Sequence, residues 1–273
     1  WRPSKLSSIL LNLMVDHSSG HQYNGGMRQI ALPLFDPSIC SFSDVIVHPG
    51  ISESLVFLQS ALAEISRSNP DAKRILLHGP SGSGKTMLLR ASVEYFKNGS
   101  PSIHQKCFFV SLADRKVNEP SLETLARLDH EQLSLVKLVC IDDVDKISEQ
   151  EPNHLWSLWN RLMVVGAHLI CSSSVGPEDL FVENSHLRSR MLAGLSLELT
   201  APNDNERILV LDKMASRRGI KLTHDVINYL LSRKSRNLKK LEDMLNLLDE
   251  ASLSERRRVT VRLIKDLEIE RSL

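Results

Sequence analysis

Eight residues, Gly79-Pro80-Ser81-Gly82-Ser83-Gly84-Lys85-Thr86, bring three glycines, a cation and a hydroxyl together at the spacing G-x-x-x-x-G-K-[ST]. Glycines permit a tight loop whose backbone N–H groups surround phosphate oxygens at a helix N-terminus. Lys85 would neutralise the β- and γ-phosphates of a nucleotide, and the Thr86 hydroxyl would ligate Mg²⁺. The bland alternative is a glycine-rich turn that binds nothing. The flanks favour the nucleotide: an apolar run, "RILLH", precedes the loop, and a helical pattern, "TMLLRASVEYF", follows it.

A second acidic element fits the same chemistry. "KLVCIDD" (Lys137 to Asp143) reads as an apolar strand that delivers Asp142 and Asp143 at its C-terminal end, Asp142 lying 57 positions after Lys85. Asp142 would hold Mg²⁺ through water, and Asp143 would polarise an attacking water. Asp145 is expected in a solvated acidic turn. "CSSSVGPEDL" (Cys171 to Leu180) leaves polar residues at another strand tip. A γ-phosphate sensor would sit there if that strand lay between the two strands carrying the phosphate loop and the acidic pair. "HLRSRM" supplies Arg188 and Arg190. Both suit a solvated face equally well, although Arg190 could reach a neighbouring subunit's γ-phosphate.

The elements that must position these groups alternate. Helical spacing over Leu55–Ile65 is followed by strands "RILLHG", "KCFFVSL", "KLVCIDD", "HLICSS" and "LSLEL" with helices between them, one being "HLWSLWNRLMVVG". That pattern predicts a parallel α/β sheet with helices on both faces. From Glu206 onward every segment reads as helix, with Asn205, Thr223, Asn237 and Thr260 as candidate N-caps. A boundary near residue 202 is expected, dividing an α/β domain (41–202) from a small helical one (203–273).

Bulk properties exclude several classes. The 273 residues are 42% hydrophobic and 25% charged, with a net charge of +1, so no global field commits the chain to nucleic acid or membrane. Residues from 204 onward carry only four more basic than acidic residues, which solvated helix faces explain. Cys40, Cys107, Cys140 and Cys171 form no CxxC pair and read as thiols of a reducing compartment. No run of about 18 apolar residues suggests a spanning helix. Residues 1–26 are expected to be a disordered or non-native extension: "LSSILLNLMV" lacks a cleavage site, and Met27 opens a more informative segment.

Taken together, the motifs resemble the AAA+ ATPases, specifically their DnaA branch, from about Ser41 to Leu267. "SFSDVIVHPGISESL" is similar to the box on the adenine side of that domain, which implies Val45, Ile46 and Val47 near the base. "LRSRM" resembles the arginine-finger box and maps the finger onto Arg190. "SRNLKKLEDML" resembles the segment that carries the sensor 2 arginine. Lys239 stands there instead and lacks the bidentate fork. Ser174 stands at the sensor 1 position, usually aspartate, which implies weak intrinsic ATPase activity.

"QIALPL" (Gln29 to Leu34, within 27–40) resembles the peptide Q-x-x-L-x-L by which bacterial replication proteins dock on the sliding clamp. Gln29, Leu32 and Leu34 match it, and Pro33 lowers the entropy of ordering. An arm packed on its own domain is the alternative. The fifteen or so residues after Arg258 are too few for the helix-turn-helix domain that follows the lid in DnaA, so sequence-specific DNA binding is not expected. The resemblance implies a cytoplasmic protein that binds ADP or ATP with Mg²⁺, docks on the β subunit clamp of DNA polymerase III and promotes ATP hydrolysis on DnaA. It also implies no membrane partner and allows a homo-oligomer. An autonomous helicase-loader or clamp-loader ATPase is the main rival; a P-loop small-molecule kinase and a binding module with a vestigial site are others.

Overall fold

The computed structural model describes residues 40–66, 73–99, 106–114, 119–147, 152–181, 184–233, 238–255 and 258–272. The clamp-type peptide with Gln29, Leu32 and Leu34 lies outside them, as does Asn237. Helix α1 (Pro49–Ser66) leads into β1 (Arg74–His78), α2 (Lys85–Gly99) and β2 (Lys106–Ser111). Short helices α3 (Leu122–Ala126) and α4 (His130–Ser134) precede β3 (Val136–Asp142), and α5 (Pro152–Val164), β4 (His168–Ser173), α6 (Ser185–Ala193) and β5 (Leu195–Glu198) follow. Helices α7 (Asp204–Arg217), α8 (His224–Arg233), α9 (Leu238–Glu255) and α10 (Val261–Ser272) complete the chain.

The five strands are all parallel, in the order β2-β3-β4-β1-β5. The expected placement of β4 between β1 and β3 is therefore present. Successive side chains point to opposite faces, and both faces are covered. Leu76, Val139, Ile141 and Leu169 pack with Leu155, Leu158 and Trp159 of α5 on one side. Ile75, Leu77, Leu138 and Ile170 pack with Leu58 and Leu62 of α1 and Leu88 and Leu89 of α2 on the other. Strands buried on both faces carry continuous apolar runs, which is why they were legible.

The terminal helices build their own core from Leu211, Met214, Leu230, Leu241, Leu245 and Ile264. Helix α7 begins two residues earlier than expected. Asn203, not Asn205, is its N-cap: its side chain accepts from Glu206 N at 3.0 Å while Glu206 accepts from Asn203 N at 2.7 Å. The reciprocal pair satisfies two orphan donors, which a cap at Asn205 could not do with Glu206. Thr260 caps α10 as expected, through Leu263 N at 3.3 Å. Helices α3 and α4 were not anticipated, since five residues are too few to show a 3.6-residue period.

A strap, residues 41–50, joins the two bodies of structure. Val45 is buried in the sheet core, whereas its neighbour Ile46 is buried among the side chains of the terminal helices. Arg217 of α7 donates to Ser43 O at 3.2 Å, and Thr200 N donates to Gly50 O at 3.0 Å. Among the described residues, all four cysteines are unpaired in disulfides, and no helix is long and apolar enough to cross a membrane.

At the opposite end of the sheet from the phosphate loop, buried His168 accepts the Lys73 N–H through Nδ1 at 2.9 Å. Burial, reinforced by the cations of Arg74, Lys137 and Lys73, pushes its pKa down from 6.5 to about 4. Between those values the unfolded chain binds a proton that folded His168 refuses, so stability falls as pH falls through that window. Melting temperature measured from pH 7 to pH 4 should therefore drop less in a His168→Asn variant, whose amide oxygen can still accept from Lys73. Equal slopes in the two proteins would contradict this assignment.

Candidate nucleotide site

The phosphate loop is fixed at both ends by neighbouring strands. Gly79 N donates to Ser173 O of β4 at 3.2 Å, and Leu199 N, just past β5, donates to His78 O at 2.7 Å. Gly79 has φ +146°, and a Cβ there would lie 1.9 Å from Leu199 O, so only glycine fits. Gly84 has φ +94°, with nothing within 4 Å of the place a Cβ would take. The loop is thus closed against the sheet and open where a phosphate would approach. Ser83 N bonds Pro80 O at 3.3 Å, and Leu88 N bonds Gly84 O at 3.0 Å, starting α2 directly from the loop.

Lys85, the first residue of α2, is buried, and its Nζ donates to Gly79 O at 2.6 Å and to Pro80 O at 2.9 Å. Burial holds its pKa below the usual lysine value, with the carboxylates of Asp143, Asp142 and Asp145 opposing that shift. A polyanion at the loop would relieve this desolvated cation. Thr86 follows on the exposed side of the first turn. Its hydroxyl and the Asp142 carboxylate are hard oxygen donors of the kind Mg²⁺ takes together with nucleotide phosphates. The residues present therefore fit Mg²⁺-nucleotide.

Asp142 ends β3 and is almost fully buried; Ser172 of β4 donates its hydroxyl to Asp142 Oδ1. The same Ser172 Oγ accepts from Asp143 N at 2.9 Å. Asp143 adopts φ +58°, ψ +49°, the left-handed region that aspartate visits more readily than most residues. Burial raises the Asp143 pKa, and the nearby charges of Asp142 and Asp145 raise it further. A carboxyl shifted upward and sitting beside the phosphate loop suits proton acceptance from water.

Asp145 is not the solvated acidic turn expected from sequence. Its side chain is only 8% exposed and accepts both the backbone N–H of Ser174, at 3.0 Å, and the Ser174 hydroxyl. Burial alone would raise its pKa, but the hydrogen bonds from Ser174, together with one from Lys146 at 3.2 Å, outweigh that and lower it. Ser174, expected at a sensor position, is thereby committed to Asp145. A cleft of about 290 Å³ opens beside this pair, lined by Val144, Lys146, Val175 and Phe181.

Where the sequence led to the adenine being expected, Val45 and Ile46 are buried and Val47 is 54% exposed. His48 is buried 4.0 Å from Glu206 of α7, its pKa lowered by burial against the pull of that carboxylate. Lys239 lies on α9 with its side chain outside the described residues.

Arg190, on α6, makes contacts across to α5. Its Nε and Nη2 donate to Asn160 Oδ1 at 3.3 and 3.0 Å, and its guanidinium carbon lies 3.7 Å from the centroid of the Trp156 ring. Both partners are neutral, so the contacts orient the cation without cancelling its charge. Trp156, Asn160 and Ser172 were missed from sequence. Trp156 and Asn160 sit four apart on one helix face, a visible spacing, but nothing in the sequence points that face at Arg190 thirty positions later.

Comparison with known proteins agrees with this geometry. Residues 47–198 match the bacterial DnaA ATPase domain, and residues 204–267 match the Hda lid domain. An uncharacterized protein of Haemophilus influenzae is 31% identical over 212 residues, covering 76% of this chain and 87% of that protein. Domain III of Thermotoga maritima DnaA superposes with a TM-score of 0.65 at 21% identity, over 84% of this chain and 95% of that one. AMPPCP-bound DnaA from Aquifex aeolicus gives 0.60 at 20% identity, over 79% of this chain. The present chain spans 66% of that DnaA structure's length. The Thermotoga maritima RuvB branch migration motor gives 0.55 at 15% identity, over 84% of this chain and 71% of that one. At these identities the structural likenesses speak for the fold.

The loop geometry generates a direct expectation. ADP with Mg²⁺ should raise the melting temperature of the wild-type protein, and Lys85→Ala should abolish that rise by removing the buried cation. A wild-type protein whose melting is indifferent to both ADP and ATP would contradict the site.

Proposed function

The chain belongs to the DnaA/Hda family of AAA+ proteins, and on that footing we propose that it is a clamp-docked regulator that triggers hydrolysis of the ATP held by DnaA. The reading rests above all on Arg190. A finger must carry an uncancelled positive charge in a planar fork, because it acts on charge developing on the transferred phosphoryl group. Stacking on Trp156 and donation to the Asn160 amide support that role, since they preorient the guanidinium and leave its charge intact.

The remaining parts follow from it. Gln29, Leu32 and Leu34 dock on the β subunit sliding clamp as an extended peptide, bringing the protein to replicating DNA in the bacterial cytoplasm. Its own site binds ADP or ATP with Mg²⁺ through the loop Gly79–Thr86 and Asp142, with the base against Val45, Ile46 and Val47. Own turnover is weak on this reading: Ser174 is held by Asp145, and Lys239 replaces an arginine fork. Arg190 enters the DnaA site in trans, hydrolysis follows there, and re-initiation of chromosome replication is prevented. A self-assembled form would use the same Arg190 face.

A second reading has one specific observation in its favour. Asp143 follows Asp142 at the end of β3, its backbone held in a left-handed turn by Ser172 Oγ at 2.9 Å, which supports a role as the base of an autonomous ATPase of the loader type. The two readings differ in whose nucleotide is hydrolysed.

One reconstitution separates them. DnaA preloaded with labelled ATP is mixed with clamp loaded on DNA and with wild-type, Arg190→Ala, or Gln29→Ala/Leu32→Ala/Leu34→Ala protein. Wild type should accelerate hydrolysis on DnaA. Arg190→Ala should lose on the order of 10³ in that rate while still binding clamp and ADP. The triple variant should lose clamp binding with an unchanged melting temperature. Undiminished stimulation by Arg190→Ala sinks the trans-finger mechanism, and hydrolysis confined to this protein's own nucleotide supports the autonomous ATPase.

A further inference from the structure

Ser172 belongs to neither the phosphate loop nor the acidic pair, yet its hydroxyl bonds both residues of that pair. It is fully buried near the end of β4. The ladder between β3 and β4 pairs Ile141 with Cys171, so Asp142 and Ser172 face each other one step beyond the last paired residues. There the chain must leave the sheet: Asp143 turns to φ +58°, ψ +49°. Its N–H therefore needs an acceptor outside the strand ladder, and Ser172 Oγ supplies it at 2.9 Å. The proton of the same hydroxyl goes to Asp142 Oδ1.

We propose that Ser172 is a positioning residue for Mg²⁺: by donating to the Asp142 carboxylate and accepting from the Asp143 backbone N–H, one buried hydroxyl fixes the Asp142 carboxylate and the turn that follows it in the arrangement that the metal of a bound Mg²⁺-nucleotide uses. The inference rests on the reading that the loop at Gly79–Thr86 holds nucleotide. Only a group that donates and accepts at one atom can do this, which among compact side chains means serine or threonine. Engaging Oδ1 through Ser172 also restricts rotation of the Asp142 carboxylate, so its other oxygen is presented in one direction. Without the hydroxyl, a buried N–H and a buried carboxylate oxygen each lose a partner, and the left-handed turn at Asp143 loses the contact that holds it. The phosphate loop is tied to β4 through the Ser173 carbonyl instead, so phosphate contacts do not depend on Ser172.

That separation gives the test. ADP affinity is measured by calorimetry with Mg²⁺ and with EDTA for the wild type, Ser172→Ala, Ser172→Thr and Ser92→Ala. Ser92 is an equally buried serine whose hydroxyl bonds only within α2, to Leu88 O at 2.7 Å. Wild type should bind ADP more tightly with Mg²⁺ than with EDTA. Ser172→Ala should lose about tenfold of the Mg²⁺-dependent gain, the effect of one hydrogen bond to a charged group, with its EDTA affinity unchanged. Ser172→Thr should restore the gain, and Ser92→Ala should never lose it. If Ser172→Ala does not fold, Ser172→Cys keeps the volume with a weak donor and acceptor and should show the same loss.

A full Mg²⁺ gain in the folded Ala or Cys variant overturns the proposal and leaves nucleotide binding standing. So does a wild type that binds ADP equally with and without Mg²⁺. A wild type that binds no ADP in either condition overturns the nucleotide reading itself, and this proposal falls with it.

Discussion

The tip of β4 is the point on which the nucleotide site depends. Because that strand lies between β1 and β3, its last two residues serve both neighbours at once. The carbonyl of Ser173 anchors Gly79 at the start of the phosphate loop, and the hydroxyl of Ser172 anchors Asp143 at the end of the acidic strand. A parallel sheet delivers all its strand ends at one edge, so loop, carboxylates and sensor converge without any contact along the sequence. One residue further, Ser174 bonds Asp145, which ties the loop after β4 to the turn after β3. Three consecutive serines thus connect groups that the chain keeps between 29 and 94 positions apart from them.

The strap formed by residues 41–50 extends the same logic to the lid. Adjacent side chains, Val45 and Ile46, are buried in different cores, so the backbone between them cannot move with one body and ignore the other. Arg217 holds Ser43 from the lid side, while Ser54 Oγ and Thr200 N, bonded to Glu198 O and Gly50 O, hold the start of α1 to the strand end. A base bound against Val45–Val47 would therefore meet both bodies. Tight packing makes such junctions respond in discrete steps instead of gradual deformation.

Much of this arrangement could be read from residue types. The strands were legible because burial on both faces leaves unbroken apolar runs, and the phosphate loop because its glycines answer a steric need that Gly79 displays against Leu199. The family match over residues 47–198 and 204–267 agrees with the resemblance read from the motifs. What escaped depended on adjacency across strands or helices. Asp145 looks solvated in a run of acids until β4 brings Ser174 beside it. Ser172 is one of three serines until Asp142 and Asp143 face it. Asn203 lost to Asn205 in a stretch where several residues can cap, although Glu206 three positions later marks the reciprocal partner. Trp156 and Asn160 read as ordinary helix residues until α6 lays Arg190 across them.

The proposed mechanism turns on where that guanidinium goes. In the chain alone it rests on Trp156 and Asn160, partners that orient it and leave its charge available for phosphate. A cryo-electron microscopy structure of this protein with DnaA, a non-hydrolysable ATP analogue and clamp on DNA would test the claim most directly. The account predicts Arg190 Nη atoms within hydrogen-bond distance of the γ-phosphate in the DnaA site, still braced by Asn160. Arg190 remote from that phosphate, or Arg188 in its place, would contradict it.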